Sequence, residues 1–219
     1  VIGRRQVALA GHLGDDATAR RGLDDPDASV RATALGALWR LAVLTLDEVA
    51  TGLSDAAAVV RARAAELAGG FGPAGIDLLV AALTDSDPSV VEAACFGLGE
   101  TSDLSNGPID GPNAVPPPST GRPAPTPAAA VEGLVRVSRE HPDPICREAA
   151  VAALGALGSP AGLEAILAAT EDKPAVRRRA VLALASFSGP EVDSALQRAL
   201  GDRDWQVRQA AEDMTGRTR

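Results

Sequence analysis

Aromatic side chains are scarce in this chain: they make up 2% of 219 residues, with no tyrosine, three phenylalanines and two tryptophans. Alanine and leucine carry the apolar content, a composition that packs helices closely and supplies few of the β-branched and aromatic runs that sheets favour. An all-α protein is expected. Histidine occurs twice, at His12 and His141, and cysteine twice, at Cys95 and Cys146. Two cysteines make neither a disulfide framework nor a metal cluster, so no metal and no cofactor is expected. Both read as small buried hydrophobes. Lysine appears once, at Lys173, and the formal net charge is −8. An acidic chain is poorly suited to replacing the counterions of a phosphate backbone, so nucleic acid is not an expected partner. No stretch resembles a signal peptide and no uninterrupted apolar run approaches a membrane span, which points to a cytoplasmic protein with no membrane partner. The start on Val1, midway through a structural unit, suggests a processed or trimmed N-terminus.

What the chain has in abundance is repetition. "DPDASVR" at 25–31 returns as "DAAAVVR" at 55–61, "DSDPSVV" at 85–91, "HPDPICR" at 141–147, "EDKPAVR" at 171–177 and "DRDWQVR" at 202–208. Aligned on Val30, Val60, Val90, Cys146, Val176 and Val207, the steps are 30, 30, 56, 30 and 31 residues. Four places later every copy has alanine: Ala34, Ala64, Ala94, Ala150, Ala180 and Ala211. Positions zero, four and eight share one helical face, so this stripe faces a core. An alanine in every copy marks a neighbour too close for a larger side chain. Nine places on come Gly69, Gly99, Gly155 and Gly216, read as helix stops. An earlier apolar segment, such as "GIDLLVAAL" at 75–83, completes each unit as two antiparallel helices joined by an acidic turn. In that turn Asp27, Asp87, Asp143 and Asp204 hold the N-cap position, two of them just before a proline at the first helical site. Trp39 takes the glycine column of its repeat, where the helix is expected to run on into "RLAVLTLDEV". Trp205, beside an N-cap, is expected to cover the last repeat.

Six residues separate Asp25 from Arg31, Asp55 from Arg61, Glu171 from Arg177 and Asp202 from Arg208. Together with the helix pairs and the thirty-residue period, this pattern resembles the HEAT-repeat family, in particular its short bacterial class of the PBS-lyase type. The resemblance implies a right-handed α-α superhelix, a HEAT-like solenoid of about six helix pairs plus an N-terminal partial repeat, as one domain over 1–219. It also implies that turn acid and arginine form a structural ladder between neighbouring repeats. Repeat three keeps Asp85 but has Val91 in the arginine column; repeat four keeps Arg147 but has His141 in the acid column. Asp85 and Arg147 are therefore expected to pair with each other.

The long step contains an insertion at 101–127, "TSDLSNGPIDGPNAVPPPSTGRPAPTP", with eight prolines and no amphipathic period. It reads as an inserted loop between repeats three and four, extended around "VPPPS". It is either a tolerated surface insertion or a segment that docks on the array or on a partner.

The family's known chemistries leave little trace. Members of the deoxyhypusine hydroxylase type hold iron with repeated His-Glu dipeptides, whereas the dipeptides here are His12-Leu13 and His141-Pro142. The alkylpurine glycosylase branch grips DNA in a basic groove with aromatic and acidic residues, which this acidic chain lacks. No phosphate-binding loop and no nucleophile–base set occurs, so no catalytic residue is assigned and the protein is not expected to be an enzyme. The remaining expectation is a non-catalytic scaffold that binds a partner protein or peptide on the concave surface of its second helices, possibly with help from the proline-rich loop. Candidate contact residues there are Trp39, Glu66, Glu92, Phe96, Glu148, Arg178 and Leu182. Two other readings stand beside it: a bilin-lyase-like or other enzyme-assisting chaperone subunit, and a nucleic-acid-binding HEAT-like protein.

Overall fold

The structure, a computed structural model, describes residues 2–101 and 128–216; the expected proline-rich loop lies outside the described residues. The described residues are helical throughout and contain no β-strand. They fall into two compact units, Val1–Ala124 and Pro125–Arg219.

In the first unit the α-helices are α1 (Arg4–Leu13), α2 (Asp16–Arg21), α3 (Ala28–Arg40), α4 (Leu46–Leu53), α5 (Ala58–Ala68), α6 (Ile76–Ala82) and α7 (Pro88–Glu100). The second has α8 (Ala128–Glu140), α9 (Pro144–Leu157), α10 (Leu163–Ala169), α11 (Pro174–Ala183), α12 (Pro190–Ala199) and α13 (Trp205–Thr215). From α2 onward each even-numbered helix pairs with the odd-numbered one after it. Helix α1 has no such mate and packs on α3. Within each unit, odd helices pack more extensively on the next odd helix than even helices do on the next even one.

The reference column of Val30, Val60, Val90, Cys146, Val176 and Val207 is at most 3% exposed, and all six alanines of the next stripe are fully buried. The reason for alanine is local. A Cβ placed on Gly22 would stand 3.0 Å from the Ala34 methyl, and one on Gly52 would stand 3.0 Å from that of Ala64. Small residues on both helices let a pair close up, and a bulkier side chain would overfill the gap. Asp27, Asp87, Asp143 and Asp204 all cap their helices, accepting from the backbone N–H two residues on at 2.8–3.0 Å.

Several details depart from the sequence reading. Helix α3 does not run on: it ends at Arg40, Ala42 turns left-handed at φ 64, and a new helix opens at Leu46. Its start is signed by Thr45 and Glu48, which form a capping box. Gly99 and Gly155 lie inside α7 and α9 rather than ending them, and Gly216 alone of the four adopts the left-handed cap. Trp205 stands 63% exposed at the first position of α13. The stretch Ala58–Ala82 has the length and mean hydropathy of a membrane-crossing helix. It is broken at Gly72, where φ is 58 and ψ −137, and its two arms are the α5 and α6 of adjoining repeats.

Candidate functional site

Charge is most organised at the turns. Arg31, on the first turn of α3, donates from Nη1 to the carbonyls of Asp25 (2.9 Å) and Pro26 (3.1 Å) in its own repeat. Its Nε and Nη2 form a fork on the carboxylate of Asp55, one repeat on, at 2.7 Å each. Arg61 grips Asp85 with the same fork at 2.7 and 2.9 Å. In the second unit Arg147 holds Asp172 at 2.7 and 2.8 Å, and Arg177 holds Asp202 at 2.9 and 2.7 Å. Each aspartate also accepts a backbone N–H from its own turn, so the carboxylates are oriented from both sides. The pairs are bidentate and charge-assisted, and their side chains are between 6% and 21% exposed.

Two assignments change. The acid opposite Arg147 is Asp172, not Glu171, which is exposed. The turn before α11 is one residue shorter than the others, with Lys173 alone between Asp172 and Pro174, so the column counted back from the valine lands one place early. Asp85 and Arg147 do not pair with each other, since Asp85 belongs to Arg61 and Arg147 to Asp172. His141 supplies a neutral substitute for the missing acid: its Nδ1 accepts from the Asp143 N–H at 3.2 Å and its carbonyl accepts from Arg147. Asp25 has no arginine fork among the described residues; its buried carboxylate accepts from the N–H groups of Ile2 and Asp27.

The arginine hydrogen bonds hold Asp55, Asp85, Asp172 and Asp202 below the usual carboxylate range, against the opposing effect of burial. A carboxylate depressed in the folded state stabilises the fold above its unfolded pKa, about 3.9, and that contribution is lost as pH falls through the folded value. Stability should therefore be flat from neutral pH to about 5 and fall progressively below about 4. Urea unfolding across that range measures it. In a variant with Asp55, Asp85, Asp172 and Asp202 all changed to Asn, most of the acid-dependent loss should vanish.

The candidate contact residues sort by unit. In the first, Glu66 on α5 and Glu92 and Phe96 on α7 are all exposed, and Phe96 stands 62% open. Gly69 abuts Gly97, with a Cβ at Gly69 only 3.0 Å from the Gly97 backbone, and the arginine at 63 lies over Gly36 one repeat back. Glu92 and Phe96 are neighbours at i and i+4 on α7. Glu66 is partly neutralised by Arg63 at 2.7 Å. Trp39 is not part of this surface. Its ring packs on Phe71, centroids 5.5 Å apart at 52°, and over Gly70, where a Cβ would lie 2.3 Å from the indole. In the second unit Glu148 is half-buried and bonded to Arg179 at 3.3 Å, Arg178 is exposed, and Leu182 is half-buried. A cleft of about 360 Å³ in that unit is lined by Glu171, Arg198, Arg203 and the Arg177–Asp202 pair, so its interior is filled by ladder chemistry. Among the described residues no group of three His, Cys, Asp or Glu could hold a metal ion.

Known proteins place this architecture. The family profile of HEAT repeats matches residues 128–215. No curated protein matches the sequence significantly. Among solved structures, an engineered protein superposes with a TM-score of 0.60 at 21% identity, over 92% of this chain and 97% of its own. The Escherichia coli protein YibA superposes at 0.64 and 16% identity, over 98% of this chain and 74% of its own. The complex of CpcE and CpcF of phycocyanin lyase from a Nostoc species gives 0.60 at 20% identity, over 92% and 76%. At such identities the likeness is one of fold. Residues 128–215 are similar to HEAT repeats, and the first unit carries the same thirty-residue helix pairs and the same arginine–aspartate ladder.

Proposed function

We propose that the protein is a non-catalytic interaction scaffold, and that the inner face of its first unit takes a basic, amphipathic segment of a partner protein. The observation that carries this reading is Phe96, an aromatic ring 62% exposed on α7, with the exposed Glu92 one turn before it on the same helix. A lone exposed phenylalanine is unfavourable in water, and here it is one of only three in the chain. It would anchor an apolar side chain while Lys or Arg of the same segment meets Glu92 and the other exposed acids of these helices. The overall charge of −8 acts in the same direction, drawing basic partners and repelling nucleic acid.

Calorimetric titration with a Lys/Leu amphipathic model helix tests the reading. Phe96→Ala should weaken binding by about tenfold or more. A Glu66→Gln, Glu92→Gln double variant should lose most of the salt dependence. Unchanged affinity in Phe96→Ala would rule the surface out.

A further inference from the structure

The cleft between repeats five and six carries charges at its mouth that belong to no rung of the ladder. Its inner wall is the Arg177–Asp202 fork beside the buried Val181 and Val207, and those two charges satisfy each other. Repeat six adds Arg198, in the last turn of α12, and Arg203, in the turn before α13. Repeat five adds Glu171, in the turn before α11. All three are exposed. Among the described residues neither arginine closes an ion pair, although Arg203 lies near enough to Asp202 to favour its charged form. Glu171 acts on Arg177 only at a distance, because the fork of that arginine is taken by Asp202.

The two arginine positions are distinctive in the array. Arg198 stands four residues before the turn acid and Arg203 one after it. The same places hold Thr51 and Ala56 in repeat two, Ala81 and Ser86 in repeat three, and Ala168 and Lys173 in repeat five. Repeat six is the one with a cation at both. Exposure there is general to the repeats: Thr51, Ala56, Ala168 and Lys173 are exposed too, each in a repeat with another stacked after it. Both walls of the cleft come from consecutive repeats of this chain. A cation in the last turn of α12 suits the helix dipole, which accounts for Arg198. Arg203 lies in the turn, outside any helix, and has no such role.

The charges at the mouth define the occupant. A guanidinium matches a carboxylate in shape and charge, and a glutamate matches an ammonium. A simple dianion would meet repulsion from Glu171, and a simple cation repulsion from the two arginines. A volume of about 360 Å³ is at the small end of ligand sites. We infer that the cleft binds a small acidic amino acid, with Arg198 and Arg203 each taking a carboxylate and Glu171 taking the ammonium. The site lies in the second unit and does not rest on the Phe96 surface, so either can fail alone.

The probe is L-glutamate, titrated into the full chain at constant ionic strength and followed through the arginine Nε–H signals. Those of Arg198 and Arg203 are assigned by their loss in Arg198→Gln and Arg203→Gln. Both should shift saturably at about millimolar concentration, while the signal of Arg136, exposed on α8, stays in place. Glutarate, which lacks the ammonium, and 4-aminobutyrate, which lacks one carboxylate, should each bind about threefold more weakly or worse. Either arginine variant should weaken L-glutamate by a similar factor, read on the remaining arginine, at an unchanged melting temperature. Glu171→Gln should reverse the order of ligands, weakening L-glutamate and tightening glutarate. No saturable shift by about 10 mM would overturn the inference. So would equal affinity for L-glutamate and glutarate, arginine variants that bind as wild type, or a Glu171→Gln variant that keeps the original order.

Discussion

Arg61→Ala should destabilise the first unit by about 2–3 kcal/mol, whereas Arg63→Ala, two residues away, should cost less than about 0.5 kcal/mol. Both side chains end in an ion pair at 2.7 Å, so distance does not separate them. Burial and connectivity do. Arg61 and Asp85 are 15% and 13% exposed, and Arg61 also satisfies the carbonyls of Asp55 and Ala56. Removing it strands a largely buried carboxylate and two backbone acceptors at the seam between repeats two and three. Arg63 and Glu66 are 37% and 50% exposed, so water replaces either partner at little cost. Asp85→Asn keeps an acceptor for the fork and should cost about half as much as Arg61→Ala. Urea unfolding of the full chain, followed through the emission of Trp39 in the first unit, reads these losses directly. Equal midpoints for Arg61→Ala and Arg63→Ala would mean that the ladder adds no stability of its own.

The ladder also shows what a single sequence could and could not reveal. Six aligned copies made the helix pairs, the buried valine and alanine stripes and the capping aspartates readable, because each column averages away the accidents of one repeat. Reading failed where one copy differs in length. Counting six back from Arg177 lands on Glu171, but the shortened turn before Pro174 puts the carboxylate of Asp172 in reach of Arg147 instead. It failed again over Asp85 and Arg147, which looked like leftovers within their own repeats. Each arginine serves the acid of the following repeat, so the two were already paired with Arg61 and Asp172. Trp39 misled for another reason: its only visible signal was its size, and its packing partner, Phe71, lies 32 residues on, outside any local pattern. Exposure of Phe96 was legible: it stands six places after Val90, off the buried stripe at zero, four and eight, and it is 62% open.

The second large effect is expected at Gly155, where the sign of a familiar rule should reverse. Glycine in a helix interior is normally worse than alanine by about 1 kcal/mol, so Gly→Ala within α9 would ordinarily stabilise. Here a Cβ would stand 2.6 Å from the Ala183 methyl and 2.8 Å from its Cα, on the facing helix α11. Contact with backbone cannot be relieved by a rotamer change, so α9 and α11 must separate and loosen the buried Val151, Leu154 and Val181 around them. Gly155→Ala should therefore destabilise the second unit by about 1–3 kcal/mol, and Gly155→Leu by more. Ala183→Gly in the Gly155→Ala background removes the methyl clash but leaves the Cα and a carbonyl oxygen at 3.3 Å, so rescue should be partial. Thermal unfolding monitored through Trp205 tests the series. A stabilised Gly155→Ala variant would show that this seam yields easily, and that the repeat spacing is set by the ladder at the turns rather than by close approach of the helices.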